Sequence, residues 1–127
     1  MTIKLHNLAD YSVRNTRRVD DRPYGGFPGT IIQAEPIYRV IENIEKGVRK
    51  TLPKICFAPA GEKLIQKTFE TWSHEAECIL LCGHYEGIDE RVLEYFSFTQ
   101  ISLGDYVVTS GEVAAMVFVD GVTRLIP

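Results

Sequence analysis

Apolar and polar positions alternate along the chain in blocks that predict helices and strands in turn. The clearest helix follows Pro36, which suits a first-turn position, and it is stopped by Pro53. Its apolar positions recur at helical spacing and form one stripe: Ile37, Val40, Ile41, Ile44 and Val48. A short buried strand is predicted over 55–58, followed by a second amphipathic helix over 62–72.

The second half of the chain continues this alternation with more apolar segments. Residues 78–82 are apolar without alternation, which is typical of a strand covered on both faces. A short helix is predicted over 88–95 and a strand over 96–101. Residues 112–125 are apolar nearly all round, which favours a fully buried helix, although their β-branched members leave a strand open. The pattern predicts an α/β fold with a mostly parallel sheet flanked by helices.

The first thirty residues are patterned differently. Ile3 and Leu5 predict a short strand, and a long polar stretch over 10–30 follows. A segment of that length without regular structure is usually functional or disordered. Its arginines lie between Arg14 and Arg22, and two interpretations stay open. They form a solvated loop, or they contact RNA phosphate, because a guanidinium presents a planar fork to phosphate.

Composition narrows the class of protein. The 127 residues suffice for one domain with a core, and 45% hydrophobic with 24% charged residues is an ordinary globular profile. No apolar run approaches the roughly 20 residues that span a bilayer, and the N-terminus lacks a signal-peptide pattern. We therefore expect a cytoplasmic protein without a membrane partner. The net charge of −3 gives no support for DNA or RNA binding, so any RNA contact needs a local patch or another part of the protein.

Three cysteines, Cys56, Cys78 and Cys82, are an odd number in a chain with no export signal. Along a strand the Cα atoms of Cys78 and Cys82 lie about 13 Å apart, which is too far for a disulfide. No His or Cys stands around them at zinc-ligand spacing. We expect buried free thiols and no metal site.

Three glycine-containing segments each follow a predicted strand, namely 59–61, 82–92 and 103–112. Ligands of open α/β sheets bind at the carboxyl ends of strands, and glycine lets the backbone approach a ligand closely. The simpler interpretation is a set of strand-to-helix turns, with Asp89 and Glu90 at a helix N-terminus, Arg91 pairing on the surface, and Thr109 or Ser110 capping the last helix. Spacing alone leaves both interpretations open, and neither a P-loop nor a dinucleotide fingerprint is present.

Arg124 follows the last apolar segment, and it too has two interpretations. It forms an ion pair with Asp120 one helical turn earlier, or its charge lies at the edge of a ligand site.

The amino-acid sequences of four segments are more informative about function than the spacing of the glycines and predicted elements. Residues 19–26, 81–92, 104–107 and 122–127 resemble, in the same order, four signatures of the bacterial tRNA (guanine-N1)-methyltransferases of the trefoil-knot class. The resemblance covers nearly the whole chain. It implies an α/β fold with a C-terminal deep trefoil knot, a topology nearly absent from other proteins.

The resemblance also implies S-adenosylmethionine as cofactor, N1 of guanosine 37 beside the tRNA anticodon as methyl acceptor, and a homodimer with sites at the subunit interface. Carried over by position, the cofactor contacts are Phe57, Ala58, Pro59, Gly83, Tyr85, Glu86, Leu103, Gly104, Asp105, Tyr106, Val107 and Val108. The catalytic candidates are Arg124, which would stabilise charge on the guanine, and Glu86 and Asp20, near the target base and cofactor. The general base that removes the N1 proton would be an aspartate beyond residue 127, supplied by the other subunit.

The resemblance further implies that 1–127 is the cofactor-binding knotted domain without the family's first strand and helix, its linker and its C-terminal tRNA-binding domain. Departures from the family wording at Ala58, Ala60, His84, Ser110 and around Phe27 bear on cofactor affinity. Two alternatives remain: a fragment that binds S-adenosylmethionine or dimerises without catalysis, and a related knotted enzyme that acts on ribosomal RNA. The latter is weaker because 20–26 and 83–91 match the tRNA enzymes in particular.

Overall fold

The computed structural model describes residues 1–22, 25, 29–84 and 87–127. The chain divides into two compact units. Unit 1 comprises Met1–Thr51 and His84–Phe96, and unit 2 comprises Leu52–Gly83 and Ser97–Pro127. In chain order the regular elements are a 3₁₀ helix (Leu8–Tyr11), β1 (Asp20–Asp21), β2 (Ile31–Ile32), α1 (Ala34–Val48), β3 (Lys54–Lys63), α2 (Gln66–Trp72), β4 (Ile79–Leu81), α3 (Glu90–Tyr95), β5 (Thr99–Ser102) and α4 (Gly111–Thr123).

Unit 2 is built on a three-stranded parallel sheet in the order β4-β3-β5. Ile55 of the central strand pairs with Leu80 on one side and Thr99 on the other. The core of the unit consists of Ile55, Ile101, Phe118 and Val122, with the rings of Phe57, Phe69 and Trp72 packed around them. The predicted parallel sheet with helices packed against it is confirmed.

The central strand β3 is longer than the sequence predicted. Its pairing with β5 shifts register between Phe57 and Glu62, and the strand then continues to Lys63. A Cβ on Gly61 would lie 2.6 Å from the carbonyl carbon of Gln100, so only glycine fits this approach to β5. The prediction that 59–61 is a turn ending the strand is wrong, because the sheet absorbs the extra residues as an irregularity within the strand.

The second predicted helix begins four residues later than expected. Glu62 and Lys63 belong to β3, and the backbone N–H of Leu64 donates to the Ser102 carbonyl at 2.8 Å. These contacts with β5 hold the chain extended until Gln66. Ile65 consequently lies outside the helix and is exposed.

Helix α4 is apolar on two faces, and unit 2 buries only one of them. Ala114, Phe118 and Val122 are buried, whereas Met116 and Val117 are exposed. The sequence prediction of a fully buried helix is wrong for the described chain, because α2 and the sheet cover a single face.

In unit 1, helix α1 buries the apolar stripe predicted from the sequence at Ile37, Val40 and Ile41. The two-residue strands β1 and β2 pair antiparallel. The strand predicted at Ile3 and Leu5 is wrong: 1–7 form no helix or strand, and Leu5 is 93% exposed. No helix among the residues described has both the length and the apolar character to cross a bilayer.

Candidate functional site

The candidate site in unit 2 is the edge of the sheet at which β4 and β5 end, beside the register shift of β3. The register pairs Cys56 with Leu81 and Phe57 with Ile101, so the residues following these pairs lie at one edge of the sheet. That edge carries most of the predicted cofactor positions: Phe57, Ala58, Pro59, Gly83, Leu103, Gly104, Asp105, Tyr106, Val107 and Val108. The topology therefore brings together residues that are widely separated in sequence.

Two chain segments touch backbone to backbone at this edge. The N–H of Gly111 donates to the carbonyl of Gly83 at 2.8 Å. A Cβ on Gly111 would lie 2.5 Å from the Gly83 nitrogen and 2.7 Å from the Cys82 Cα. Glycine at 111 is thus required by the close passage of α4 against the end of β4. Ser110 occupies the predicted N-cap position of α4 but makes no side-chain capping bond.

The segment 103–108 is anchored at its start and open beyond. The Ser102 hydroxyl donates to the Gly104 carbonyl at 3.0 Å and accepts from the Gly104 N–H at 3.3 Å. The Lys63 ammonium donates to Asp105 at 2.8 Å. The Tyr106 ring lies against Gly104, where an added Cβ would be 2.7 Å from ring atom Cε1.

Beyond this anchor the segment presents both polar and apolar groups. Tyr106 and Val107 are exposed, the latter by 79%. The backbone N–H groups of 106–108 make no hydrogen bond to a backbone carbonyl of the described residues. Exposed amide donors beside apolar side chains suit a ligand with a flat heterocycle and hydrogen-bonding edges.

Cys82 stands where β4 leads into this edge, and its surroundings favour the protonated thiol. Partial burial and the Glu112 carboxylate raise the pKa of its thiol to about 11, so the thiol is protonated at neutral pH. All three cysteines are free, as predicted. Burial was predicted correctly for Cys56 and wrongly for Cys78, which is exposed just before β4 begins.

Asp20 lies in unit 1 and is buried to 7% exposure. The Arg18 guanidinium donates to its carboxylate at 3.0 Å, and this hydrogen bond lowers the pKa of Asp20. Asp20 is therefore ionised at neutral pH and held by its neighbour. Tyr85 and Glu86, which the resemblance places near the cofactor, lie outside the described residues.

The polar loop of unit 1 holds most of its arginines in local ion pairs. Arg14 pairs with Asp21 at 2.9 Å, and Arg17 pairs with Asp10 at 2.5 Å. Arg22 differs, because its guanidinium pairs with no carboxylate in the described chain. The solvated-loop interpretation therefore fits Arg14, Arg17 and Arg18 better than Arg22.

Asp89 and Arg91 form the helix start predicted from the sequence. The Asp89 carboxylate accepts from the Arg91 backbone N–H at 3.0 Å and caps α3, and it also pairs with the Arg91 guanidinium at 2.6 Å. These bonds lower the pKa of Asp89. The predicted surface pairing of Arg91 is confirmed.

Arg124 is the exposed C-cap of α4. Its backbone N–H donates to the Asp120 carbonyl at 3.3 Å, but across the described ranges its guanidinium makes no ion pair with the Asp120 carboxylate. The structural ion pair proposed from the spacing is wrong. A role at a ligand site stays a prediction.

A groove in unit 1 was missed by the sequence analysis. It encloses about 580 Å³ between β1, β2, α1 and α3, and its lining includes Asp21, Arg22, Glu35, Tyr38, Asp89 and Tyr95. Tyr38 and Tyr95 have ring centroids 5.8 Å apart. Each tyrosine lies outside the buried face of its helix, Tyr38 in α1 and Tyr95 in α3. Their proximity becomes visible only from the packing of α1 on α3.

The fold is of the α/β class with a parallel sheet, and comparison with known proteins identifies the family. A family model described as tRNA (Guanine-1)-methyltransferase TrmD matches residues 1–127. The chain therefore belongs to the tRNA (guanine-1)-methyltransferase family.

Individual relatives agree with this assignment. The tRNA (guanine-N(1)-)-methyltransferase of Porphyromonas gingivalis is 46% identical over 127 residues, which are 100% of this chain and 56% of that protein. The protein of the same name from Albidiferax ferrireducens is 42% identical over 125 residues, 98% of this chain and 50% of that protein. The chain thus spans about half the length of these relatives.

A solved structure gives the same result. The crystal structure of tRNA (m1G37) methyltransferase from Aquifex aeolicus matches with a TM-score of 0.84 and 37% identity, over 94% of this chain and 53% of that one. This match confirms the predicted fold class, an α/β domain of the trefoil-knot methyltransferases with a parallel sheet flanked by helices.

Proposed function

We propose that this chain is the cofactor-binding part of an enzyme that methylates N1 of guanosine 37 in tRNA with S-adenosylmethionine as methyl donor. The observation that carries the proposal is the match to the Aquifex aeolicus tRNA (m1G37) methyltransferase over 94% of the chain at 37% identity. The matched region includes the sheet edge at which the strand ends and the glycine segments converge. The proposed protein acts in the cytoplasm as a homodimer.

The residues at the sheet edge fit S-adenosylmethionine. The backbone N–H groups of 106–108 make no backbone hydrogen bond among the described residues and can donate to the ring nitrogens of an adenine, to which the exposed Val107 offers an apolar surface. A Cβ on Gly104 would press on the Tyr106 ring, so the glycine keeps this segment compact. Phe57, Ala58 and Pro59 complete the edge, with Tyr85 and Glu86 as further contacts carried over from the family. When bound, the cofactor supplies an activated methyl group on a sulfonium.

The chain's own charged residues would act on the guanine. N1 carries a proton at neutral pH, and its loss to a general base leaves negative charge on the ring during transfer. The Arg124 guanidinium is exposed and has no carboxylate partner within the described ranges, so it is available to stabilise this charge. Asp20 and Glu86 match, by resemblance to the family, positions near the target guanine and the cofactor. The general base that removes the N1 proton would come from the other subunit.

Calorimetric titration of the 127-residue chain with S-adenosylmethionine tests the cofactor site. We expect saturable binding, and we expect Gly83→Val to abolish it by filling the space beside the backbone. Tyr106→Ala should weaken binding about tenfold without the risk of misfolding, since its ring is exposed. Gly47→Ala in α1 is the matched control, because nothing lies within 4 Å of its added Cβ. Unchanged affinity in both site variants would contradict the assignment.

Methyl transfer to unmodified tRNA separates catalysis from binding alone. Transfer above a no-protein control would exclude the alternative of an inactive cofactor-binding fragment. In a full-length relative, replacement of the residue matching Arg124 by alanine should lower kcat more than it weakens cofactor binding. An equal loss of both would assign Arg124 to cofactor binding.

A further inference from the structure

The groove of unit 1 has a charge balance that distinguishes it from an ordinary surface cleft. Among the described residues of its lining, each carboxylate is paired with an arginine: Asp21 with Arg14 at 2.9 Å, Glu35 with Arg39 at 3.1 Å, and Asp89 with Arg91 at 2.6 Å. Arg22 also lines the groove and pairs with no carboxylate in the described chain. Among these described residues, the guanidinium of Arg22 is therefore left to attract an anionic ligand.

The groove lining also contains aromatic side chains. Tyr38 and Tyr95 both line the groove, and the Tyr95 ring is 67% exposed. The Phe96 ring supports Tyr95 from behind at 4.8 Å, edge to face. The nearby Glu42 carboxylate raises the pKa of Tyr38, so its phenol stays protonated and can donate a hydrogen bond. An exposed, supported ring is a stacking platform for a flat heterocycle.

A cation and an aromatic platform in one groove select ligands that carry both an anion and a flat ring. The volume of about 580 Å³ suits a single nucleotide. A divalent metal is a poor occupant, because its carboxylate ligands are already engaged by arginines. No group of three His, Cys, Asp or Glu in the part of the chain that the structure describes could hold a metal ion.

We infer that this groove binds one nucleotide of a single-stranded RNA segment, with the backbone phosphate on Arg22 and the base stacked on Tyr95. The inference rests on the proposed function for its choice of RNA, and it adds a subsite for a nucleotide in unit 1. A free nucleotide shares the same chemistry. The strand is favoured over a free nucleotide because the proposed function gives the protein an RNA substrate.

Fluorescence anisotropy of the full chain with a labelled short single-stranded RNA tests this subsite across a range of salt concentrations. Arg22→Gln should weaken binding several-fold and reduce the slope of log affinity against log salt by about 0.7, the loss of one phosphate contact. Tyr95→Ala should weaken binding about tenfold with the slope unchanged, since stacking is not ionic. Tyr95→Phe, which keeps the ring, should bind like the parent.

The matched control is Arg17→Gln, which removes a loop arginine that pairs with Asp10 and does not line the groove. It should change affinity by less than about twofold. Equal losses for Arg17→Gln and Arg22→Gln would mean diffuse attraction and would overturn the subsite, as would an absence of RNA binding. If guanosine monophosphate displaced the labelled RNA as effectively as unlabelled RNA does at the same nucleotide concentration, the groove would be a site for free nucleotides. That result would overturn the choice of RNA.

Calorimetry of the same variants with S-adenosylmethionine keeps the two proposals apart. The groove variants should retain the affinity of the parent for the cofactor. If the parent chain binds the cofactor but neither Arg22→Gln nor Tyr95→Ala changes the affinity for RNA, the subsite is refuted and the proposed function still stands. Loss of cofactor binding in the parent chain would count against the proposed function itself.

Discussion

The two units reach defined structures by different means. Unit 2 relies on backbone proximity: its parallel strands, its buried core and the contact of Gly111 with Gly83 leave no room for added atoms. Unit 1 has strands of only two residues and holds its long loop with ion pairs between arginines and aspartates. Steric fit is indifferent to salt and pH, whereas ion pairs respond to both. Substitutions should therefore affect the two units differently in size and in their dependence on conditions.

The largest effect is expected in the core of unit 2. Phe118→Ala removes a ring in contact with Phe57, Phe69 and Trp72, and should lower the free energy of unfolding by about 3–5 kcal/mol. Urea titration followed by the fluorescence of Trp72, the single tryptophan, measures this loss. Met116→Ala is the control on the same helix, and being exposed it should change stability by less than about 0.5 kcal/mol. Equal effects would mean that the two faces of α4 are both buried.

A smaller but sterically diagnostic loss is expected at Gly111. Gly111→Ala places a methyl group against the Gly83 nitrogen and should cost about 1–3 kcal/mol, although alanine favours helices. Gly47→Ala in α1 meets no atom within 4 Å and should stabilise by about 0.5–1 kcal/mol. Opposite signs for these two substitutions would confirm the contrast between close approach and open helix surface. The same sign for both would refute it.

Asp89 should show the pH dependence expected of unit 1. Its pKa is lowered in the folded chain, so its stabilising contribution is present above the unfolded value near 3.8 and is lost as pH falls through the lower folded pKa. Asp89→Asn keeps a capping side chain and removes the charge. It should cost about 1 kcal/mol at neutral pH.

Hydrogen exchange of the α3 amides at several pH values provides the measurement for Asp89. The difference between Asp89→Asn and the parent should shrink on acidification below the unfolded pKa. A difference that is constant with pH would show that the Arg91 pair contributes nothing.

The smallest effect is expected for an exposed pair of the loop. Arg17→Gln breaks the ion pair with Asp10, whose partners are both more than half exposed, and should cost at most about 0.5 kcal/mol. Thermal unfolding in low salt and in about 1 M salt should show the effect disappearing as the charges are screened. Persistence at high salt would point to a packing role for the arginine.

The elements that the sequence predicted well depend on local periodicity. The stripe through Ile37, Val40 and Ile41 predicts α1 because a helix repeats within its own few turns. The start of α2 could not be predicted, since it depends on the pairing of Lys63 with Ser102, a distant residue. The exposed face of α4 could not be predicted either, because composition does not say which neighbours cover a helix.

The candidate site divides in the same way. The glycines at 83, 104 and 111 were identified as part of a candidate ligand site through the resemblance to family signatures. Their spacing alone was also compatible with simple strand-to-helix turns. The steric need for Gly111 is visible only from the backbone of Cys82 and Gly83 across the contact. The groove with Tyr38 and Tyr95 was missed, because no local pattern joins residues on two helices so far apart in sequence.

The order of the strands in the sheet has a consequence for synthesis on the ribosome. β3 emerges first, yet both of its partners, β4 and β5, are encoded downstream of it. At about 5–20 residues per second, the edge contributed by β5 follows the completed β3 only after an interval on the order of seconds. The apolar strand around Ile55 has open hydrogen-bonding edges on both sides until β4 emerges, and on one side until β5 emerges. During this interval the unpaired edges of β3 are a template for pairing with other chains, so the nascent chain is vulnerable to aggregation.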